Sequence, residues 1–213
     1  MTPSAVDTPH GPARVHLLPA EEPRAALVLG HGAGGRVDAP DLVSVAAAAR
    51  AMGVCVALVE QPYRVAGRRS PAPPGQLDAA WSTVVGHLKA GDLGDLPLLV
   101  GGRSSGARVA CRTAAATGAI AVLCVAFPLQ PPRRAGEAEA ASRLPELEQV
   151  PVPVLIVQGT RDPFGMPPAT ATRTVVPVDG NHGSRMDLEA VATAVRAWLA
   201  SVLVPAADDA GAQ

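Results

Sequence analysis

Ser104, Asp162 and His182, far apart in the chain, are the residue types that acyl transfer needs. Ser104 is the centre of Gly102-Arg103-Ser104-Ser105-Gly106, a G-x-S-x-G pentapeptide preceded by the apolar run Leu98-Leu99-Val100 and followed by an Ala-rich stretch. A serine on a sharp turn between strand and helix brings the residues two before and two after it together, and glycine at both places gives the room. Register separates the two serines, because centring on Ser105 puts Arg103 and Ala107 at the crowded positions. Ser104 is therefore the candidate nucleophile. The N–H of Ser105, opening the next helix, is a candidate donor to a developing oxyanion. Taken alone, the pentapeptide also reads as a plain Gly-Ser turn capping a helix.

A serine hydroxyl needs a base to take its proton, and the base needs an acid to orient it. Asp162 follows the apolar run Val154-Leu155-Ile156-Val157, and His182 lies in Gly180-Asn181-His182-Gly183, after the run at 174–178 and ahead of the last helical pattern. Singly, Asp162 reads as a turn residue before Pro163 and His182 as a loop histidine. Their placement after successive strand-like runs makes them the candidate acid and base. The loop after the run at 120–125, Phe127-Pro128-Leu129-Gln130, has no carboxylate to compete, and Asp179 reads as shaping its own turn. His10, His16 and His87 read as structural or exposed.

A second glycine loop, Gly30-His31-Gly32-Ala33-Gly34-Gly35, also follows an apolar run. Gly30, Gly32 and Gly35 satisfy the dinucleotide pattern G-x-G-x-x-G, with Glu60 as the acid that reading requires. Asp38, Pro40 and Asp41 delay the helix that such a site needs at once, Glu60 lies 25 residues past Gly35, and the reading leaves Ser104, Asp162 and His182 unused. As an oxyanion loop the segment supplies a second donor, the N–H of Ala33, with His31 and Gly32 in structural roles at the site.

The elements that must position these residues follow from periodicity. Short unbroken apolar runs at 25–29, 54–59, 98–100, 120–125, 154–157 and 174–178 read as strands buried on both faces. Helical patterns lie between them, at 42–52 closed by Gly53, at 77–88 closed by Gly91, at 105–117 closed by Gly118, and from 188 to 202. This alternation predicts a mostly parallel sheet with right-handed crossovers and helices on both faces. Residues 13–18 read as an edge strand, 1–12 and 205–213 as flexible tails, and 13–204 as one domain. Connections 61–75 and 128–150 are rich in Pro and Arg.

Composition narrows the classes. The 213 residues carry 18 Lys and Arg against 19 Asp and Glu, with 48% apolar residues, which fits one near-neutral globular domain with no footprint for nucleic acid. No apolar stretch is long enough to span a membrane, and residues 1–7 lack a signal-peptide pattern, so a cytoplasmic protein is expected. Cys55, Cys111 and Cys124 sit in apolar runs without metal-ligand spacing, predicting buried free thiols and no metal or organic cofactor.

Across most of its length the chain resembles small, lidless α/β-hydrolases of the dienelactone-hydrolase-like type, in a branch marked by an HGAGG loop, a GGRSxG elbow, a proline-rich segment and a QGTRDPFG stretch. Here these are residues 31–35, 101–106, Phe127-Pro128-Leu129-Gln130-Pro131-Pro132, and 158–165. The resemblance implies an α/β-hydrolase fold without a separate lid domain, whose chain order of nucleophile, acid and base is that of Ser104, Asp162 and His182. It implies a serine hydrolase cleaving a small ester or thioester through an acyl-enzyme. Dienelactone hydrolases proper use cysteine where this chain has Ser104, so lactone chemistry does not carry over. Gly183 follows the histidine where relatives commonly have Ser or Asp. Members of the group also serve chiefly in interactions, and residues 63–74 and 131–134 offer a surface for that alternative. The expected substrate is a small acyl compound in a shallow cleft between 61–75, 128–134 and 164–168. Arg64, Arg68 and Arg69 are either solvated or an attraction for a substrate carboxylate.

Overall fold

The computed structural model describes residues 3–131, 141–183 and 186–203. In chain order these form β1 (Ser4–Val6), β2 (Ala13–Leu18), β3 (Ala25–Gly30), α1 (Pro40–Arg50), β4 (Val54–Glu60), α2 (Pro62–Val65) and α3 (Pro74–Ala90). They continue with β5 (Leu98–Arg103), α4 (Ser105–Thr117), β6 (Ala121–Val125), α5 (Leu144–Glu148), β7 (Val154–Gly159), β8 (Arg173–Val178) and α6 (Leu188–Val202).

The strands make one sheet in the order β1-β2-β4-β3-β5-β6-β7-β8. β1 and β2, and β2 and β4, pair antiparallel; every other neighbouring pair is parallel. β3, β4, β5, β6 and β7 are buried almost throughout, as expected of strands covered on both faces. Residues alternate between two cores. Val28, Val100, Val122 and Ile156 face Trp81, Val84 and Leu88 of α3 and Ala107, Ala110 and Ala114 of α4. Leu27, Leu29, Leu99, Leu123 and Leu155 face Leu42, Val45 and Ala49 of α1 and Val191, Val195 and Leu199 of α6. Period-2 alternation of Cβ direction along each strand therefore builds an apolar layer on each side.

Two expectations differ from the structure. Residues 4–6, within the segment expected to be a tail, form β1, which covers β2, so 13–18 is the second strand and not the edge. β8, read as buried on both faces, is buried only at its ends, Arg173 and Val178, with the four residues between partly or fully exposed, because it is the opposite edge and among the described residues pairs with β7 alone. The connections at 61–75 and 128–150 contain the short helices α2 and α5, each with Pro in its first turn, where a missing N–H costs nothing. Pro132, Arg133, Arg134, Ser184 and the segment 205–213 lie outside the described residues.

The topology fixes where a site can form. From β3 the chain goes to β4 on one side, then crosses to β5 on the other, so a crevice opens at the carboxyl ends of β3 and β5. The two glycine loops leave the sheet there.

Candidate active site

Ser104 links β5 to α4 with φ 50° and ψ −107°, and it is one of two non-glycine residues with positive φ among the described residues. Such a conformation costs of order 1–3 kcal/mol and persists only where the surroundings enforce it. They do so here. The N–H of Ser104 donates to the carbonyl of Val125 at 2.9 Å, and α4 begins at the next residue. Gly102 and Gly106 cross so closely that a Cβ on Gly102 would stand 2.7 Å from the carbonyl carbon of Gly106. A Cβ on Gly106 would in turn stand 2.9 Å from the carbonyl oxygen of His31. The two glycines thus let the elbow pass under the β3 loop as well as close upon itself.

The turn presents Ser104 Oγ to His182 Nε2 at 2.9 Å, and His182 Nδ1 lies 2.9 Å from Asp162 Oδ2. With a carboxylate against Nδ1, the imidazole carries its proton there, which leaves Nε2 as the acceptor for the serine hydroxyl. The Asp162 side chain is 1% exposed. Oδ1 accepts from the N–H of Phe164 at 2.9 Å, and Oδ2 also accepts from Gln158 Nε2 at 3.0 Å. Phe164 stands edge-on to the His182 ring, centroids 4.4 Å apart. The structure therefore brings all three candidate residues together from the ends of β5, β7 and β8.

Ala33 and Ser105 line the same cleft as Ser104 and His182. Neither backbone N–H has a hydrogen-bond partner among the described residues, and that of Ser105 lies at the N-terminus of a helix 13 residues long. A cluster of two free donors beside a hydroxyl is suited to stabilise charge that develops on a carbonyl oxygen. His31 holds the first loop in shape. Its Nδ1–H donates to Gly32 O at 2.7 Å and its Nε2 accepts from the N–H of Gln61 at 3.1 Å, so the ring is neutral; burial also lowers its pKa. Tyr63 donates to the carbonyl of Ala33 at 2.6 Å, and its burial pushes the phenol up to about 12.

The cleft encloses about 540 Å³ and is open to solvent, with Pro71, Pro128 and Phe164 each contributed by one of the three expected segments. Arg64, Arg68 and Arg69 do not line it: Arg64 donates to the carbonyl of Arg68, and Arg68 lines a separate cavity of about 80 Å³. The cleft arginines are instead Arg103, Arg108 and Arg143. Arg108 is bidentate to Glu146 at 2.8 and 2.6 Å. In the sequence Arg103 is marked only by its place inside the elbow motif, and in the structure its side chain touches the histidine loop.

Cys55, Cys111 and Cys124 are free and buried, the last two with sulfurs 3.5 Å apart. Among the described residues no three His, Cys, Asp or Glu side chains gather as a metal site, and no helix is long and apolar enough to cross a membrane.

Several solved structures share this architecture. A lidless α/β serine hydrolase of Xanthomonas campestris is 20% identical with a TM-score of 0.74, covering 97% of this chain and 96% of its own. Est1E of Butyrivibrio proteoclasticus is 16% identical with a TM-score of 0.77, covering 95% and 99%. A dienelactone hydrolase of Anabaena variabilis is 17% identical with a TM-score of 0.72, covering 94% and 96%. No curated protein matches the chain. Residues 23–184 match the family model described as the alpha/beta hydrolase domain, a span from β3 through the histidine loop. That match covers most of the chain, and the protein belongs to the α/β-hydrolase family.

Proposed function

We propose that this protein is a serine hydrolase that cleaves a small ester or thioester through an acyl-enzyme on Ser104. The reading rests above all on one observation, the continuous line of hydrogen bonds from Ser104 Oγ through His182 to Asp162, each contact 2.9 Å long.

In the proposed mechanism His182 Nε2 takes the Ser104 proton as Oγ attacks the acyl carbon. The carbonyl electrons move to the oxygen, which the N–H groups of Ala33 and Ser105 receive. Asp162 holds the imidazolium in place, accepting from Nδ1. The imidazolium then protonates the departing alcohol or thiol as the tetrahedral adduct collapses. Water, deprotonated by the same nitrogen, attacks the acyl-serine and restores the enzyme. An open cleft of about 540 Å³ favours short acyl groups over long chains.

Purified protein assayed against p-nitrophenyl and thioester substrates of rising acyl length tests this. Expected are turnover that falls with chain length and a loss of about 10⁴-fold or more in kcat for Ser104→Ala. Full activity in that variant, or none in the wild type, contradicts the proposal; an inert protein that copurifies with one defined partner supports the interaction reading instead.

A further inference from the structure

Arg103 precedes the candidate nucleophile, yet its side chain serves the histidine. Its Nε donates to Asp41 Oδ2 at 2.6 Å, and its Nη2 donates to the carbonyl of His182 and, at 3.3 Å, to that of Gly183. The Asp41 side chain is 5% exposed and that of Arg103 16%. Nη1 lies over the first glycine loop, where a Cβ on Gly32 would stand 3.0 Å from it. One guanidinium therefore touches α1, the oxyanion loop and the histidine loop at once. The planar fork sends its N–H groups in fixed directions, so anchoring Nε on a buried carboxylate sets the aim of Nη2.

The histidine loop needs such an anchor. Gly180, at φ 138°, and Gly183 flank Asn181 and His182, and glycine imposes little preference on the backbone. The ring contacts fix the tip of the side chain, whereas the Arg103 bonds fix its root. A desolvated ion pair is weak ground for arguing stability, because the cost of burying two charges offsets much of their attraction. Its position beside the reacting groups gives it a different use.

On the reading that Ser104 and His182 are the reacting pair, we propose that Arg103, held by Asp41, is a positioning residue that sets the His182 backbone so that Nε2 meets Ser104 Oγ. A misplacement of about 1 Å at a reacting group costs on the order of 10²-fold in rate, and releasing the His182 carbonyl permits a shift of that size.

The test compares Arg103→Met, Arg103→Lys and Asp41→Asn with wild type on a short neutral ester, with active sites titrated by a fluorophosphonate. Arg103→Met is expected to lower kcat per titrated site about 30- to 100-fold with KM changed no more than about twofold, and millimolar guanidinium ion is expected to restore part of it. Arg103→Lys, which has one ammonium for two tasks, is expected to fall between. A kcat per site equal to wild type in Arg103→Met overturns the inference, as does a loss that guanidinium leaves untouched and that Arg103→Lys shares in full. If Arg103→Met does not fold, Asp41→Asn decides: a fall in kcat of about fivefold or more supports the role, and no fall overturns it. Loss of activity in Ser104→Ala beside full kcat in Arg103→Met refutes the positioning role alone; full activity in Ser104→Ala overturns the hydrolase reading as well.

Discussion

Gln158 Nε2 donates to Asp162 Oδ2 at 3.0 Å from a side chain with no exposed surface. The same amide nitrogen lies 3.1 Å from the carbonyl of Phe127 and 2.9 Å from that of Gly165. It ties the end of β6 to the loop carrying the carboxylate, so that Asp162 meets His182 in one orientation. Gln158→Leu leaves these acceptors without their donor in a buried place. The expected result is a loss of about 1–3 kcal/mol in stability and about tenfold in kcat, read by denaturant unfolding and by ester hydrolysis.

The crossing of Gly102 and Gly106 makes the elbow intolerant of any side chain. A Cβ at Gly106 has backbone atoms of Gly30 and His31 in its way, and backbone cannot swing aside as a flexible side chain can. Gly106→Ala is expected to cost about 3 kcal/mol or more, seen as a lowered Tm, with Ser104 labelling by a fluorophosphonate lost even in the folded fraction.

Acid weakens the fold in two steps of known sign. His31 has a lowered pKa in the folded state, chiefly from burial, against an ordinary value of 6.5. Below 6.5 the unfolded chain therefore binds a proton that the folded one refuses, and stability is full above that pH and falls as pH drops toward the lowered folded value. Burial alone would raise Glu146, but Arg108 and Arg112 hold it below its ordinary 4.5, so its contribution is full above 4.5 and lost as pH falls further. Urea melts from pH 7 down to about pH 3 are expected to show both limbs, and His31→Gln is expected to flatten the upper one.

Glu146 also joins two helices. It takes both prongs of Arg108 and lies 3.2 Å from Arg112, which is paired in turn with Asp78 of α3 at 2.6 Å. The carboxylate is 17% exposed, and its removal leaves the partly buried Arg108 guanidinium without this partner and Arg112 with Asp78. Glu146→Ala is expected to cost about 1–3 kcal/mol by denaturant unfolding, more than an exposed pair such as Arg196 with Glu189.

Much of this was readable in order along the chain, because the determinants are local. Residues 105–117 form α4 over the span set by the elbow on one side and Gly118, left-handed at φ 67°, on the other. The five inner strands announced themselves as unbroken apolar runs, and the crossover rule placed their loops at one edge. The misses depend on partners distant in sequence. β1 is three residues long and exists through its pairing with β2. Asp41 looked like a residue that delays a helix, and its contact with Arg103 spans 62 positions. Arg64, Arg68 and Arg69 are conspicuous as a cluster, yet none of them lines the cleft, and Arg64 donates to the carbonyl of Arg68. Both members of the Arg103–Asp41 pair stand near a glycine loop, and that nearness was the one available signal.

In the proposed mechanism Ser104 Oγ is a nucleophile whose proton goes to His182. The most direct measurement is intact-mass and peptide spectrometry after exposure to a fluorophosphonate, across wild type, Ser104→Ala, Ser105→Ala and His182→Ala. On the proposed mechanism one adduct per chain is expected, located on Ser104, retained in Ser105→Ala, absent in Ser104→Ala and slowed at least about 10³-fold in His182→Ala. An adduct on another residue, or equal labelling of wild type and Ser104→Ala, would contradict it.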